Sequence, residues 1–252
     1  MTSVDTEAIL KRRDFFPRGL IQPEGGYRFS LDSLLLACFA NPGRRHVGID
    51  LGCGCGVISL ALLLRQPGLT LTGVDVEPES VRVANENAVN LHYANQFSAV
   101  SGDVTEWRPE KVVDFVVSNP PYRRLGKGRV SQGEERATAR FESKAEFAHF
   151  ARCAALSLKT RGKFIFVHLP ERLAELMDGL HAAKLEPKRL SMVHGRADET
   201  ARMVMIEAVK AAGAGMKVEP PLILHEGQGR ETRLTEQTLE YCPFLGCNAG
   251  DE

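Results

Sequence analysis

Short β-branched apolar runs alternate along this chain with longer amphipathic stretches. Residues 46–50, 69–75, 97–101, 112–118 and 163–168 are apolar runs of strand length and read as buried strands. Between them, residues 57–65, 78–90, 143–158 and 170–183 carry apolar positions at helical spacing, and residues 33–40 form a helix upstream of them. Ser30 or Asp32 caps that first helix, and Asn41, Pro42 and Gly43 end it. Ser143 followed by Glu146 has the spacing of a capping box. Residues 185–193 and 203–210 are two further strands separated by a polar, glycine-containing segment, which predicts an antiparallel pair. Strand and helix alternate as far as residue 183 and finish in that hairpin. This order predicts an α/β fold, a mostly parallel sheet with helices on both faces.

The two ends read differently from the middle. Residues 1–19 are polar and read as an arm with at most a short helix, and residues 27–30 follow a Gly25-Gly26 turn as a short strand. Residues 213–215 are linker-like, and residues 217–252 read as a tail laid on the domain or partly disordered. The expected division is an arm and covering segment over 1–45, a main domain over 46–212 and a C-terminal extension over 213–252.

Composition narrows the class. The 252 residues are 43% hydrophobic and 25% charged, and the net charge is zero, so any contact with nucleic acid must be local. No apolar run reaches the length of a membrane span, and the first residues lack a signal-peptide core, so the expected location is the cytoplasm. The six cysteines lack the paired spacing of a zinc site or a disulfide framework. Cys242 and Cys247 have no histidine nearby to complete a site, so no metal is expected and the thiols are expected to be free.

Four places carry candidate chemistry. The first strand runs into Asp50-Leu51-Gly52-Cys53-Gly54-Cys55-Gly56 and then a helix, an arrangement that lets backbone approach a nucleotide. Its spacing is Gly-x-Gly-x-Gly, not the dinucleotide Gly-x-Gly-x-x-Gly. Asp75 ends the second strand, where an acid accepts hydrogen bonds from ribose hydroxyls, with Glu77 as a competitor for that role. Asp103 follows the third strand, where an acid on its own reads as a turn former, and Val76 and Val104 lie next to the two acids. After the fourth strand comes Ser118-Asn119-Pro120-Pro121-Tyr122. Two prolines stop the strand and hold Asn119 extended, presenting an amide and an aromatic ring at the strand's carboxyl end. The next segment, residues 123–140, holds six basic residues against Glu134 and Glu135. Arg123, Arg124, Lys127 and Arg129 in it are candidate phosphate contacts, and a solvated loop is the alternative.

Glycine turn, acid after strand two, acid after strand three and Asn-Pro-Pro-Tyr after strand four resemble the Rossmann-like class I methyltransferases that use S-adenosylmethionine (SAM). Their sheet has seven strands, one of them antiparallel. A closer resemblance runs from about residue 20 to 212. Gly26-Tyr27-Arg28-Phe29-Ser30-Leu31-Asp32-Ser33-Leu34-Leu35-Leu36-Ala37, the glycine turn and the Asn119 motif are similar to bacterial tRNA1(Val) adenine-N6 methyltransferases. Val193-His194 and Glu207-Ala208-Val209-Lys210 also look like that group. The resemblance implies SAM as cofactor and tRNA as partner. It also implies Arg28 and Ser30 near the cofactor, together with Asp50, Gly52, Gly54, Gly56, Asp75, Val76, Asp103, Val104 and Asn119.

The residue types fit the implied reaction. An exocyclic amine is a poor nucleophile because its lone pair is delocalised. The Asn119 side-chain oxygen and the Pro120 carbonyl can each accept one of its protons, which aims the lone pair at the methyl group and lets positive charge develop. Tyr122 can stack on the base. The same turn chemistry serves protein glutamine-N5 methylation of a release factor, and DNA adenine methylation ranks behind it because no target-recognition domain is visible. A SAM-binding module without catalysis is the reading from another class.

Overall fold

The computed structural model describes residues 11, 13–23, 29–122 and 146–248. The elements alternate as the pattern predicts. A helix α1 (Leu31–Phe39) precedes β1 (Val47–Leu51), α2 (Val57–Arg65), β2 (Thr70–Asp75), α3 (Pro78–Asn90), β3 (Phe97–Ser101) and β4 (Val113–Ser118). Then come α4 (Phe147–Ser157), β5 (Leu158–His168), a 3-10 turn (Pro170–Arg172), α5 (Leu173–Ala182), β6 (Leu185–His194) and β7 (Ala201–Lys210).

The main sheet has the order β3-β2-β1-β4-β5-β7-β6. Of these seven strands only β7 runs antiparallel, pairing with β5 and β6. The order reverses between β1 and β4, which puts the switch point of the sheet where ligands bind in open α/β folds. The central strands β1, β4 and the second half of β5 are buried on both faces, which is why they read as continuous apolar runs. On β5, Ile165 and Val167 join one core with α1, α2 and α3, while Phe164 and Phe166 join the other with α4 and α5.

Three local readings are corrected. The helix expected from Ser143 has its described turns from Phe147, and Glu146 is itself the cap: it forms a reciprocal capping box with His149. Ser143 lies outside the described residues. Strand β5 starts at Leu158, five residues before the apolar run, because a bulge opposite Asp114 absorbs residues 159–162. Phe29 and Ser30 are not strand, and residues 24–28 lie outside the described part.

The C-terminal extension adds two-residue strands β8 (Lys217–Val218) and β9 (Leu222–Ile223) to the β6 edge, then β10 (His225–Glu226) pairs with β11 (Arg233–Leu234), and α6 (Glu236–Tyr241) follows. Leu222, Leu224, Cys242 and Leu245 are buried in the core that includes α1. Fully burying a leucine stabilises by roughly 1.5–3 kcal/mol, so three of them hold this segment against the domain rather than leave it loose. At its far end Phe244 packs edge-on against Phe16, with centroids 5.2 Å apart.

Candidate active site

Strands β1 and β4 are parallel neighbours in register, with Leu51 opposite Ser118, so the turns that leave them lie side by side. The Ser118 hydroxyl donates to the Leu51 carbonyl at 2.7 Å and ties the two strand ends together.

The β1 turn is shaped by backbone conformation. Gly52, Gly54 and Gly56 have φ of 71°, 53° and 83°, the left-handed region that side chains avoid. The Gly52 and Cys53 N–H groups donate to the Val74 carbonyl at 2.8 and 3.1 Å, which fastens the turn to β2. The Gly54 N–H donates to Asp75 Oδ2 at 2.8 Å, and the Glu77 N–H donates to Asp75 Oδ1 at 3.0 Å. Burial raises the Asp75 pKa, and the two N–H donors oppose that shift. A Cβ placed on Gly56 would lie 2.8 Å from the Phe97 ring, whereas one on Gly54 meets nothing within 4 Å. Packing against Phe97 therefore also requires Gly56, and Gly54 faces open space that a ligand can enter. Cys53 and Cys55 are buried, and burial pushes the Cys55 thiol up to about 11, so neither is a ready nucleophile.

Asp50 is fully buried at the end of β1. Its Oδ2 accepts from the Ser59 hydroxyl on α2 at 2.8 Å, while Oδ1 is buried with no hydrogen-bond partner. Burial pushes its pKa up to about 7. An acidic oxygen without a donor, next to a glycine turn open at Gly54, fits a cofactor that brings a cationic amine.

The β4 turn is held by other parts of the chain. The Asn119 amide nitrogen donates to Ser33 Oγ at 3.0 Å. The Tyr122 hydroxyl lies 2.7 Å from Asn119 Oδ1 and 2.8 Å from Asp32 Oδ2. Asp32 and Ser33 sit in the first turn of α1, whose far end is fixed by Arg65 donating to the Ala37 and Ala40 carbonyls and by Arg189 donating to Phe39. From the other side, Arg172 Nη1 donates to the Tyr122 carbonyl at 3.0 Å while pairing with Glu175. The Tyr122 ring packs against buried His168, centroids 5.1 Å apart, and His168 meets Phe147 edge-on at 5.9 Å. Burial, then the Arg172 charge, push the His168 pKa down to about 4, so the ring is a neutral support.

The structure thus brings Asn119, Pro120 and Tyr122 beside Asp50, Gly52, Gly54, Gly56 and Asp75. Asp103 is used as a turn former: its Oδ1 accepts from the Thr105 N–H at 2.8 Å and from the Thr105 hydroxyl at 2.7 Å. Val76 is exposed and Val104 buried, each just past its strand. Arg28, Arg123, Arg124, Lys127 and Arg129 lie outside the described residues. Sequence reasoning passed over Asp32, Ser33, His168 and Arg172 as site residues. Their signal was weak, since Asp32 reads as a helix cap and His168 as the end of an apolar strand. Asn87 was also passed over. Buried on α3, it donates to the Ile21 and Cys55 carbonyls at 2.9 and 3.0 Å, joining the N-terminal arm to the glycine turn. Among the described residues no group of three or more His, Cys, Asp or Glu side chains is placed to hold a metal, and no helix is long and apolar enough to cross a membrane.

The chain is 28% identical over 228 residues to the tRNA1(Val) (adenine(37)-N6)-methyltransferase of Vibrio campbellii, covering 86% of this chain and 90% of the relative. It is 26% identical over 217 residues to the protein of that name in Vibrio cholerae, covering 86% and 88%. Among solved structures, a predicted O-methyltransferase from Agrobacterium tumefaciens superposes with a TM-score of 0.68 at 20% identity, over 85% of this chain and 96% of that one. A putative RNA methyltransferase from Pyrococcus horikoshii gives 0.51 at 22% identity, over 71% and 80%. At these identities the structural likenesses establish the fold alone, the class I methyltransferase fold. The methyltransferase small domain model matches residues 31–171. That span is more than half of the chain, which therefore belongs to the methyltransferase small domain family, with SAM as its cofactor.

Proposed function

We propose that this protein transfers a methyl group to the exocyclic N6 amine of an adenine in tRNA. The observation that carries the reading is the Asn119–Tyr122 turn beside the open glycine turn, at the switch point of the sheet. The names of the Vibrio relatives support the choice of adenine in tRNA. When bound, SAM supplies an electrophilic methyl group on a sulfonium. Gly52, Gly54 and Gly56 let it approach the backbone, Asp50 Oδ1 takes its ammonium, Asp75 its ribose, and Val76, Asp103 and Val104 border its base, with Arg28 and Ser30 covering it. Asn119 Oδ1 and the Pro120 carbonyl each accept one proton of the target amine. Two acceptors on one NH2 hold its lone pair in a fixed direction and stabilise the positive charge that develops on nitrogen. Tyr122 supports the base by stacking. The methylated amine is then acidic enough to lose its proton to water. Arg123, Arg124, Lys127 and Arg129 are assigned to RNA phosphates. An anticodon loop offers such an enzyme an unstacked base at low cost.

The test supplies labelled SAM with total small bacterial RNA, genomic DNA and a release-factor protein side by side. The expected result is label in small RNA, recovered as N6-methyladenosine. Label confined to protein overturns the substrate and moves the reaction to glutamine-N5 methylation at the same turn.

A further inference from the structure

The Tyr122 hydroxyl has one proton and faces two acceptors. Asn119 Oδ1 lies at 2.7 Å and Asp32 Oδ2 at 2.8 Å. While Tyr122 donates to Asn119, it takes one of the two lone pairs of the oxygen assigned to the substrate amine and weakens it as an acceptor. A hydrogen bond to a carboxylate is roughly twice as strong as one to a neutral amide, so Asp32 is the better recipient and draws the hydroxyl off Asn119. Ser33, the next residue, fixes the other end of the same carboxamide by accepting from Nδ2 at 3.0 Å. Both α1 residues reach Asn119 and Tyr122 across 86 and 90 positions of sequence. The α1 helix itself is anchored by Arg65, by Arg189 and by the buried C-terminal leucines, so its first turn is a firm support.

We propose that Asp32 is a positioning residue for the methyl acceptor: it holds the Tyr122 hydroxyl, which leaves Asn119 Oδ1 to the amine, while Ser33 keeps that oxygen aimed at the site. This rests on the amine-binding role proposed for Asn119. Only hydrogen bonds are involved. Tyr122 gives its O–H to Asp32, and the amine N–H goes to Asn119 Oδ1. Asp32 touches neither the cofactor nor the reacting nitrogen in this account. The competing explanation, that an acid in the first helical turn merely complements the helix dipole, makes Asp32 a matter of stability alone.

The experiment is a double-mutant cycle with small bacterial RNA and labelled SAM, read as kcat and KM for RNA, with SAM affinity measured by calorimetry. Asp32→Asn is expected to lower kcat/KM for RNA by about 10- to 100-fold, the size of a lost charge-assisted hydrogen bond, with SAM affinity unchanged. In a Tyr122→Phe background, where no hydroxyl competes, the same change is expected to cost less than about twofold. Equal losses in both backgrounds, or a loss confined to SAM affinity, overturn the proposal. Should Asp32→Asn fail to fold, Asp32→Ser, which suits a first helical turn, is read in its place: a loss of about tenfold or more in kcat/KM for RNA with SAM affinity unchanged supports the proposal, and a smaller loss, or one in SAM affinity, overturns it. Asn119→Ala separates the two levels. If Asn119→Ala still turns over, the amine-binding reading fails and this inference with it. If Asn119→Ala is dead and Asp32→Asn matches wild type, this inference alone fails.

Discussion

The turns that leave β1 and β4 lie side by side, yet they are stabilised in opposite ways. The β1 turn is local. Three glycines with positive φ set its shape, and its partners Val74 and Asp75 come from the adjacent strand end. The β4 turn is stiffened by two prolines, but its functional groups are aimed by residues far away in sequence: Ser33, Asp32, His168 and Arg172. A turn whose conformation is intrinsic tolerates little change of its own residues. A turn whose side chains are held from outside is vulnerable through residues that never meet the substrate.

The largest expected effect breaks the second turn at its centre. Asn119→Ala should lower turnover by about 100- to 1000-fold, the loss seen when one preorganised polar group is removed, measured by single-turnover methyl transfer. In the first turn two glycines should separate. Gly56→Ala forces a Cβ to 2.8 Å from Phe97 at φ 83°, so it should lower the melting temperature by several degrees, each kcal/mol being worth about 2–4 °C in a chain of this size. Gly54→Ala has room in the protein and should cost only about 1–2 kcal/mol of backbone strain. It should still weaken SAM binding by tenfold or more, because the new methyl group occupies the ligand's space.

A smaller effect is expected at Arg172. Arg172→Ala removes the donor to the Tyr122 carbonyl and should reduce turnover by about tenfold, near the worth of one charged hydrogen bond, while SAM affinity holds. Thermal melting of the cofactor-free protein against pH gives the smallest and most specific readout. Asp50 titrates near 7 when folded against 3.8 as a free side chain, so its contribution favours the folded state at low pH and is lost as pH rises toward 7. His168 titrates near 4 when folded against 6.5 free, so its contribution is present above 6.5 and lost as pH falls toward 4. The two slopes oppose each other between pH 4 and 6.5. Asp50→Asn removes the first, so its melting temperature should fall as pH drops from 6.5 to 4 more steeply than that of the wild type.

The contrast between the turns also explains what was legible in the sequence. Helices α2 and α3 and strand β3 were placed to the residue, because Val57–Arg65, Pro78–Asn90 and Phe97–Ser101 combine clear periodicity with glycine, proline or charged boundaries. The Gly-x-Gly-x-Gly turn was readable because its conformation is written in its own residues. The start of β5 was not, since the bulge opposite Asp114 depends on a neighbouring strand. Likewise Glu146 was not legible as a helix cap, because His149 supplies the returning bond in place of an acid. The support of Asn119 was illegible for the same reason: nothing local to Asp32 or Ser33 signals a partner almost ninety residues away.

The proposed function gives the cofactor to the glycine turn and the amine to the proline turn. Titration of SAM into Asn119→Ala tests it most directly. The expected result is an affinity within about threefold of wild type in a protein that no longer transfers methyl groups. A tenfold or greater loss of SAM affinity in that variant would contradict it, because Asn119 would then belong to the cofactor site and not to the acceptor.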